Sequence, residues 1–541
     1  MGLRTHQKDF DRTISGIIAG SGVKTIVAHV TPGGGKSTLP IQAGRLLTAG
    51  LADRLCWICP RASLQDQAER NFIDPRFRQM FGHNLVIRSS TNEDNPCRGT
   101  SGFATTYQAL AVDDRQTVLH DFWLHRYILI LDEFHHLADD GEWTEPIREL
   151  YGRAAFRVLM TGTLARGDQK QIAFLNYIPD PFGGEGDFVP CFPADSADKV
   201  LIKYTRRDAL ADRAIIPLEF HFAEGVARWQ KESGRVVDAK LSTGRRDANQ
   251  ALYTALKTEY AQELLQEGMA HWQNHRGMMN QSSSLLVVAA SIESAKEYTG
   301  ILKRQGLHAE IATSDDIPEA VKQIKALKAG KLKILVCVAM VYEGLDVPSV
   351  SHIICLTNIR SLPWIEQMVA RANRIDPIGG AYETQKGFIF APADRMFVDL
   401  ARKIEADQYE AVAKQKKVME IREGAGNGNG GGPHITPLSS KLINGQADLF
   451  GYSPPRCGAP PSYDCGKTQR EIETELREEI EAHVRAYART YACHPGTLNG
   501  MVKKYFGRKR EMMAVAELER VKNYLLQNYP VPQKAGRGYW I

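Results

Sequence analysis

The strongest constraint on the fold of this chain is an alternation of short apolar runs with helix-length segments. Between residue 23 and about residue 200 the runs are VKTIVAHV, RLCWIC, NLVIR, RYILILD and FRVLMTG, and most of them end in a polar or glycine-containing turn. A second series begins near residue 284 with SLLVVAA, HAEIAT, KILVCVAM, HIICLTN and GFIFAP. This pattern is typical of parallel sheets with helices on both faces. The 541 residues are therefore predicted to hold two α/β domains in tandem.

The remainder of the chain divides into three parts. Residues 201–283 are more polar and show helical patterning, so we expect a helical connector between a first domain at 1–200 and a second at 284–400. Residues 401–465 contain GAGNGNGGGP and a proline-rich stretch, which is typical of a flexible linker. Residues 466–541 are predicted to form a small helical module. Its apolar positions recur at helical spacing in a first helix (Ile472, Leu476, Ile480, Val484, Tyr487, Tyr491), and two shorter helices follow near 498–506 and 511–528.

Composition limits the class of protein. The chain has 43% hydrophobic and 24% charged residues and a formal net charge of +5, which permits a polyanionic partner without requiring one. No apolar run approaches the roughly 18 residues that span a bilayer, and the segment MGLRTHQKDFDR lacks the apolar core of a secretion signal. We expect a cytoplasmic protein with no membrane partner. Cys56 and Cys59 lie in a strand-like run, which favours buried reduced thiols over a redox or zinc pair.

The stretch HVTPGGGKSTLP, residues 29–40, has the form of a phosphate-binding loop. Its glycines would let backbone N–H groups converge on phosphate oxygens, and the helix that follows would add positive potential. Lys36 would reach the terminal phosphates and Ser37 would ligate Mg²⁺. Val30 stands where the full pattern has glycine or alanine. The predicted phosphate-binding residues are Gly33, Gly34, Gly35, Lys36, Ser37 and Thr38.

A second motif, ILILDEFHHL at residues 128–137, is an apolar run that ends in two carboxylates, Asp132 and Glu133. Both should emerge at the carboxyl end of the sheet, beside the phosphate loop. One carboxylate can hold Mg²⁺, and the other can orient and deprotonate the attacking water. Together with Lys36, the pair predicts a site that hydrolyses ATP.

GGGKS and DEFH resemble the ATPase motifs of superfamily 2 helicases of the DExH type. The resemblance continues in order over about residues 1–400, in the restriction-enzyme and repair branch of that superfamily. It implies two RecA-like domains. The further similar segments are LRTHQ (3–7, the glutamine motif), ICPRASLQDQ (58–67, motif Ia), TTYQAL (105–110, motif Ib), LMTGTLAR (159–166, motif III), VAMVYEGLDVPSV (338–350, motif V) and QMVARANR (367–374, motif VI).

The resemblance implies a role for each residue at a matched position. Asp132 would hold Mg²⁺ and Glu133 would be the general base, while Thr161 and Thr163 would couple the nucleotide state to their strand. Adenine would be contacted by Gln7 with Arg4, the ribose side of the cleft would hold Gly344 and Asp346, and the γ-phosphate would face Gln367, Arg371 and Arg374.

Three positions depart from the usual motifs. Leu164 stands where proline is usual, and Ala370 and Asn373 stand where glycines are common. Alanine is small and asparagine tolerates left-handed geometry, so both arginines of motif VI should still reach the nucleotide.

Nucleic acid would cross the tops of both domains, as the resemblance implies. Backbone gripping of this kind is independent of base sequence. Three of the candidates, Thr106, Thr313 and Thr357, could equally be caps at strand ends. The candidates for this contact are Pro60, Arg61, Thr106, Thr313 and Thr357.

The C-terminal segment MVKKYFGRKREM interleaves basic residues with aromatic ones, which suits phosphate contact with base stacking. Lys503, Lys504 and Arg508 are the candidates there, although a solvated helix end with two core aromatics would look the same. Zinc is disfavoured because none of the cysteine and histidine spacings has the usual form. The residues concerned are Cys457, Cys465, His483, Cys493 and His494.

The sequence therefore predicts a helicase or translocase that uses ATP and Mg²⁺. DNA is favoured over RNA because the glutamine motif, EGLDVP and QMVARANR look more like the DNA-translocating branch. Two other interpretations stay open. One is an RNA helicase, and the other is a non-unwinding motor or loader subunit of a phage-defence, restriction or replication assembly, with protein partners bound through the C-terminal module.

Overall fold

The computed structural model describes residues 2–90, 95–112, 116–164, 166, 170–179, 188–192, 198–230, 236–242, 248–338, 347–406, 408, 466–491 and 493–531. Among the helices of these residues, none is long and apolar enough to cross a bilayer.

The first domain contains nine strands and nine helices within the described residues. Its strands are β1 (Thr25–Val30), β2 (Arg54–Cys59), β3 (Ile87–Ser89), β4 (Gly102–Thr106), β5 (Tyr127–Asp132), β6 (Phe156–Thr161), β7 (Asn176–Pro179), β8 (Phe188–Cys191) and β9 (Lys199–Tyr204). Its helices are α1 (Thr5–Ile18), α2 (Leu39–Ala43), α3 (Arg45–Thr48), α4 (Ala62–Ile73), α5 (Pro75–Phe81), α6 (Tyr107–Val112), α7 (Gln116–Leu124), α8 (Thr144–Arg153) and α9 (Arg206–Ala211), with 3₁₀ turns at Lys36–Thr38 and Phe134–His136.

Seven of these strands form a parallel sheet in the order β3-β4-β2-β5-β6-β1-β9, and β7 pairs with β8 in a separate antiparallel hairpin. Alternate residues of β5 show why residues 128–131 are all apolar. Ile128 and Ile130 pack into one hydrophobic cluster, while Leu129 and Leu131 pack into another. Helices therefore cover both faces of the sheet, and every β5 side chain is buried.

The second domain repeats this architecture. Its strands are β10 (Leu218–Ala223), β11 (Val226–Gln230), β12 (Val236–Lys240), β13 (Ser284–Ala289), β14 (Ala309–Ala312), β15 (Ile334–Val338), β16 (Val350–Leu356) and β17 (Gly387–Pro392). Its helices are α10 (Ala248–Ala255), α11 (Glu259–Met278), α12 (Ile292–Arg304), α13 (Ile317–Lys328) and α14 (Leu362–Val369), with a 3₁₀ turn at Tyr382–Thr384, and residues 395–406 are also helical. The six-stranded parallel sheet has the order β10-β17-β16-β13-β15-β14, and β11 pairs with β12. The predicted pair of tandem α/β domains is confirmed.

The expectation of a helical connector over residues 201–283 is wrong. β9 is an edge strand of the first sheet and pairs with β1, while β10 is an edge strand of the second sheet and pairs with β17. In β10, Leu218, Phe220 and Phe222 pack on the core of the second domain. The polar residues Glu219 and His221 alternate with them, which is the period of a strand that is half buried. The domain boundary therefore lies between β9 and β10, well before residue 284.

The C-terminal residues form the predicted helical module. Its helices are α15 (Gln469–Thr490), α16 (Pro495–Phe506) and α17 (Val515–Asn528), with a 3₁₀ turn at Arg510–Met512. Leu476, Ile480 and Val484 of α15 pack with apolar residues of α16 and α17, so the module has its own core. Tyr491, predicted to face this core, is 52% exposed. The predicted linker at 401–465 falls almost wholly outside the described residues.

A buried ionic cluster docks this module on the first domain, next to β3. Glu473 of α15 is 3% exposed and accepts hydrogen bonds from Arg88 Nε (3.2 Å) and Nη2 (3.1 Å). Arg98 Nη1 lies 3.4 Å from the same carboxylate, and Arg98 Nη2 donates to the Glu511 carbonyl at 2.7 Å. A backbone contact adds to this, since Arg470 N donates to Glu69 Oε1 at 3.0 Å. The module is therefore held against the first domain by specific contacts.

Candidate active site

The glycine turn after β1 has a conformation that requires glycine. Gly33 has φ +84° and Gly35 has φ +89°, in the left-handed region that other residues rarely adopt. A β-carbon on Gly34 would lie 2.8 Å from the Thr31 carbonyl oxygen. A β-carbon on Gly35 would lie 2.7 Å from Arg4 Nη1. The turn therefore has no room for side chains at Gly34 and Gly35.

Arg4 and Gln7, at the start of α1, form hydrogen bonds with the same turn. Gln7 Nε2 donates to the Gly35 carbonyl at 3.2 Å and to Thr38 Oγ1 at 2.9 Å. Arg4 Nη1 lies 3.3 Å from the Gly33 carbonyl, and the Arg4 backbone N–H donates to Gln7 Oε1 at 2.9 Å. Burial lowers the pKa of Arg4 from its ordinary value. The glutamine motif thus contacts the phosphate loop directly, and contact with adenine stays a prediction.

Lys36 and the two carboxylates form a compact charged group where β1 and β5 end. Lys36 Nζ is ion-paired with Glu133 Oε1 and lies 3.5 Å from Asp132 Oδ1. Burial opposes charge on Lys36, but Glu133 and Asp132 raise the pKa of its ammonium above the ordinary value. Burial would also raise the pKa of Glu133, but Lys36 and then His135 hold it well below its usual range. For Asp132, burial outweighs the attraction of Lys36, so its pKa is raised. Burial and the shared ammonium thus shift the pKa values of the two carboxylates in opposite directions.

Glu133 also has a constrained backbone. Its φ is +50°, which is uncommon for any residue except glycine. Such conformations cluster at functional sites, where surrounding contacts maintain them. The Gly162 N–H, in the motif III loop, donates to Glu133 Oε2 at 3.3 Å. A β-carbon on Gly162 would lie 2.9 Å from Pro32 Cγ, so this loop packs closely against the phosphate loop.

His135 connects three of the motifs, and no role was predicted for it. Its Nδ1 is 2.8 Å from Thr161 Oγ1, which places it against motif III. The same nitrogen is 3.4 Å from Glu133 Oε2. From the second domain, Gln367 Nε2 lies 3.5 Å from His135 Nε2. The signal available in the sequence was its place directly after the acidic pair in DEFHH.

The two domains face each other across a cleft of about 260 Å³ that combines the predicted residues. The first domain contributes the phosphate loop, the acidic pair and the start of α4. The second domain contributes Gln367 of α14 and the turn that follows this helix. The lining residues include Arg4, Gly33, Gly35, Lys36, Ser37, Pro60, Arg61, Asp132, Glu133, Gln367, Arg371 and Arg374.

These residues fit ATP with Mg²⁺. Glycine carbons with positive φ leave a cradle that a β-carbon would fill, and Lys36 stands at its end. Asp132 is 6% exposed, and its Oδ1 lies 3.5 Å from Lys36 Nζ. Asp132 and Ser37 both line the cleft, and their carboxylate and hydroxyl oxygens are of the kind that Mg²⁺ prefers.

The remaining predicted residues lie outside the described part of the chain or are not among those that line the cleft. Gly344 and Asp346 lie outside the described residues, as do Cys457 and Cys465. Thr106 Oγ1 accepts from Ala109 N at 3.1 Å, and Thr357 is fully buried and accepts from Ile359 N at 3.4 Å. Thr313 is 7% exposed. Thr106 and Thr357 thus occupy the capping positions that the sequence left open. Of the zinc candidates, His483 Nε2 is 2.8 Å from the Tyr529 carbonyl and His494 Nδ1 accepts from Gly496 N.

The basic stretch of the C-terminal module is at the surface. Lys503 and Lys504 are exposed at the end of α16. Tyr505 is 67% exposed and stacks on Tyr524 with 4.4 Å between ring centroids. Arg508 Nη1 lies 3.4 Å from Glu517 Oε1.

Two family models match the chain. Residues 1–166 match the type III restriction enzyme, res subunit, and residues 259–376 match the helicase conserved C-terminal domain. The first covers the phosphate loop and the acidic pair, and the second covers the arginines of motif VI.

Curated relatives and solved structures also resemble it. Uncharacterized protein Rv2917 of Mycobacterium tuberculosis (strain ATCC 25618 / H37Rv) is 26% identical over 414 residues, which is 73% of this chain and 62% of that protein. Uncharacterized protein ML1624 of Mycobacterium leprae (strain TN) is 24% identical over 76% of this chain and 65% of its own length. The chain thus spans less than two thirds of either relative.

Among solved structures, Mycobacterium smegmatis helicase Lhr bound to ssDNA and AMP-PNP is 14% identical, with TM-score 0.45 over 75% of this chain and 48% of that one. S. cerevisiae Dbp5 bound to RNA and ADP BeF3 is 13% identical, with TM-score 0.42 over 74% of this chain and 86% of that one.

Proposed function

We propose that this chain, which belongs to the Res-like family of superfamily 2 helicases, is an ATP-driven motor that acts on DNA. The observation that carries the proposal is the cleft in which Lys36 and Glu133 of one domain face Arg371 and Arg374 of the other. Hydrolysis that needs groups from both domains is possible only when the domains are together. Such a site can therefore convert ATP turnover into relative domain movement.

The ion pair between Lys36 and Glu133 supports a specific order of events. While Lys36 is paired with Glu133, the carboxylate has a pKa well below its usual range because burial is outweighed by Lys36, and it is a poor base. Phosphate oxygens compete for the same ammonium. Nucleotide binding would draw Lys36 away and leave Glu133 free to accept the proton of the attacking water. Arg371 and Arg374 would then stabilise the charge that develops on the γ-phosphate, and Mg²⁺, when bound, supplies further positive charge there.

DNA rather than RNA is proposed for two reasons. The first 166 residues match a restriction-enzyme subunit, and the glutamine motif and motif VI are similar to those of the DNA-translocating branch. We propose that Pro60 and Arg61, at the start of α4, and Lys503, Lys504 and Arg508 of the module contact the phosphate backbone.

The test is the steady-state rate of ATP hydrolysis with single-stranded DNA, duplex DNA, forked DNA and RNA. We expect duplex or forked DNA to stimulate hydrolysis more than RNA does. Lys36→Ala should abolish hydrolysis, whereas the control Lys8→Ala, an exposed lysine of α1, should keep the wild-type rate. Greater stimulation by RNA would contradict the DNA proposal, and full activity of Lys36→Ala would show that the assigned site is wrong.

The nucleic-acid role of the module has its own test. Replacing both Lys503 and Lys504 by alanine should weaken DNA binding. The slope of log Kd against log salt concentration should also fall by up to about two, because up to two phosphate contacts are lost. The control removes a half-buried lysine of α17, Lys522, which is ion-paired with Glu479 at 2.7 Å. Equal affinities and salt dependence in all three proteins would exclude this face as a binding surface.

A further inference from the structure

Asn373 reaches from the second domain to the phosphate loop of the first. Motif VI commonly has glycine at this position, which has no side chain. Here the side chain is fully buried, and Asn373 Nδ2 donates to the Pro32 carbonyl at 3.4 Å. The backbone carbonyl of Asn373 in turn accepts from Ile216 N at 2.8 Å. The residue is therefore fixed at both its backbone and its side chain.

The orientation of the amide follows from its partner. The Pro32 carbonyl can only accept, so the NH₂ half of Asn373 must face it. Oδ1 consequently lies against the glycine turn, where a β-carbon on Gly33 would be 2.9 Å away. Oδ1 is buried and has no hydrogen-bond partner among the described residues. Half of the amide is thus bound to the loop, and the other half faces the turn that would cradle phosphates.

We propose that Asn373 is a positioning residue that holds the arginine turn of the second domain against the phosphate loop before nucleotide binds. The inference rests on the proposed ATPase function, because the neighbours that it positions are Arg371 and Arg374. Both arginines line the cleft with Pro32 and Gly33. Glycine at 373 would remove this link between the arginine turn and the phosphate loop.

This link has a kinetic consequence. The Asn373 amide assembles part of the cleft without nucleic acid. When nucleic acid is absent, the wild type should therefore hydrolyse ATP faster than a variant that lacks the amide. When DNA is bound, DNA itself favours the closed arrangement, and the amide should matter less. Loss of Asn373 is therefore expected to lower the nucleic-acid-independent kcat and to raise the ratio of stimulated to unstimulated rate.

The experiment compares the full-length wild type with Asn373→Gly and Asn373→Ala. The first restores the residue that is common in the motif, and the second removes the amide without adding backbone freedom. Ala372→Gly is the matched control, because it adds backbone freedom in the same turn and keeps the amide. We expect both Asn373 variants to lower the unstimulated kcat by about three- to tenfold, the factor that one hydrogen bond is worth. The KM for ATP and the DNA-stimulated rate should change by less than about twofold, since the link positions the arginines and does not itself bind nucleotide.

Hydrogen exchange without nucleotide gives a second readout that does not need activity. Amides of residues 31–35 should exchange faster in both Asn373 variants, while α17, which lies in the C-terminal module, should be unchanged and so report intact folding. Wild-type kcat and wild-type exchange at 31–35 in both variants would overturn the link. A wild-type protein without ATPase activity would refute the proposed function instead, and the exchange comparison would still decide whether Asn373 joins the domains.

Discussion

Replacing Glu473 by glutamine should release the C-terminal module from the first domain. The carboxylate is 3% exposed and accepts from Arg88 and Arg98 of the first domain. Arg477, one turn along α15, donates to the same carboxylate at 3.0 Å. Glutamine keeps the shape and one acceptor but loses the charge, so three guanidinium groups would be left without their shared carboxylate.

The size of the effect follows from this geometry. Removing one partner of a buried ion pair costs about 3–5 kcal/mol, because the remaining charge stays buried without compensation. At about 1.4 kcal/mol for each factor of ten, the lower figure shifts the docking equilibrium by more than about a hundredfold. The module should itself stay folded, since its core of Leu476, Ile480 and Val484 does not depend on the interface.

Hydrogen exchange measured by mass spectrometry would detect the change. Exchange should accelerate in peptides that cover β3 and residues 95–101, and remain slow in the middle of α15. Glu478→Gln, an exposed glutamate on the same helix, is the control. If Glu473→Gln and Glu478→Gln both exchange like the wild type, the buried ionic cluster does not hold the module.

Three further predictions concern single side chains. Glu133→Gln should keep ATP binding but lower hydrolysis by about 10²- to 10⁴-fold, as measured by filter binding and phosphate release; an undiminished rate would exclude Glu133 as the base. Gly35→Ala should weaken ATP binding, because the φ of Gly35 is +89° and the new methyl group would lie 2.7 Å from Arg4 Nη1. The control Gly152→Ala should not, because a β-carbon on Gly152 in α8 would have nothing within 4 Å. Equal Kd values for ATP in the two variants, measured by titration calorimetry, would contradict this. Burial, with neighbouring histidines, lowers the pKa of His352 from 6.5 to about 2. The folded chain then binds fewer protons than the unfolded one, so stability should fall by up to about 1.4 kcal/mol for each pH unit below about 6.5; urea unfolding at several pH values should show this slope reduced in His352→Gln, and an unchanged slope would refute it.

Much of the fold follows from local pattern alone. Runs such as TIVAHV and YILILD are mostly apolar because both faces of a parallel sheet are covered, and this is visible without a structure. The strands that were missed include several whose pattern is weaker. β4 is GFATT, short and rich in small and polar residues, and β9 (KVLIKY) and β10 (LEFHFA) are edge strands that mix polar with apolar residues. Half-buried edges resemble polar connections when read one segment at a time.

The candidate site shows the same limit. Lys36, Asp132 and Glu133 could be placed together because parallel strands end at one edge of a sheet. The contact of Asn373 with Pro32 could not be predicted, since it joins residues 341 positions apart through the packing of two domains. Glu473 is one of several glutamates in a charged helix, and only the docking of α15 distinguishes it as buried. Residues that act across domain boundaries carry no periodic signal in the sequence.

The rate of ATP hydrolysis by the full chain, at saturating ATP with and without duplex DNA, tests the central claim most directly. We predict that DNA accelerates hydrolysis and that Arg371→Ala, which alters only the second domain, removes the accelerated rate while ATP still binds. An Arg371→Ala variant that hydrolyses ATP like the wild type, or a wild type that no nucleic acid stimulates, would contradict a motor whose two domains share one site.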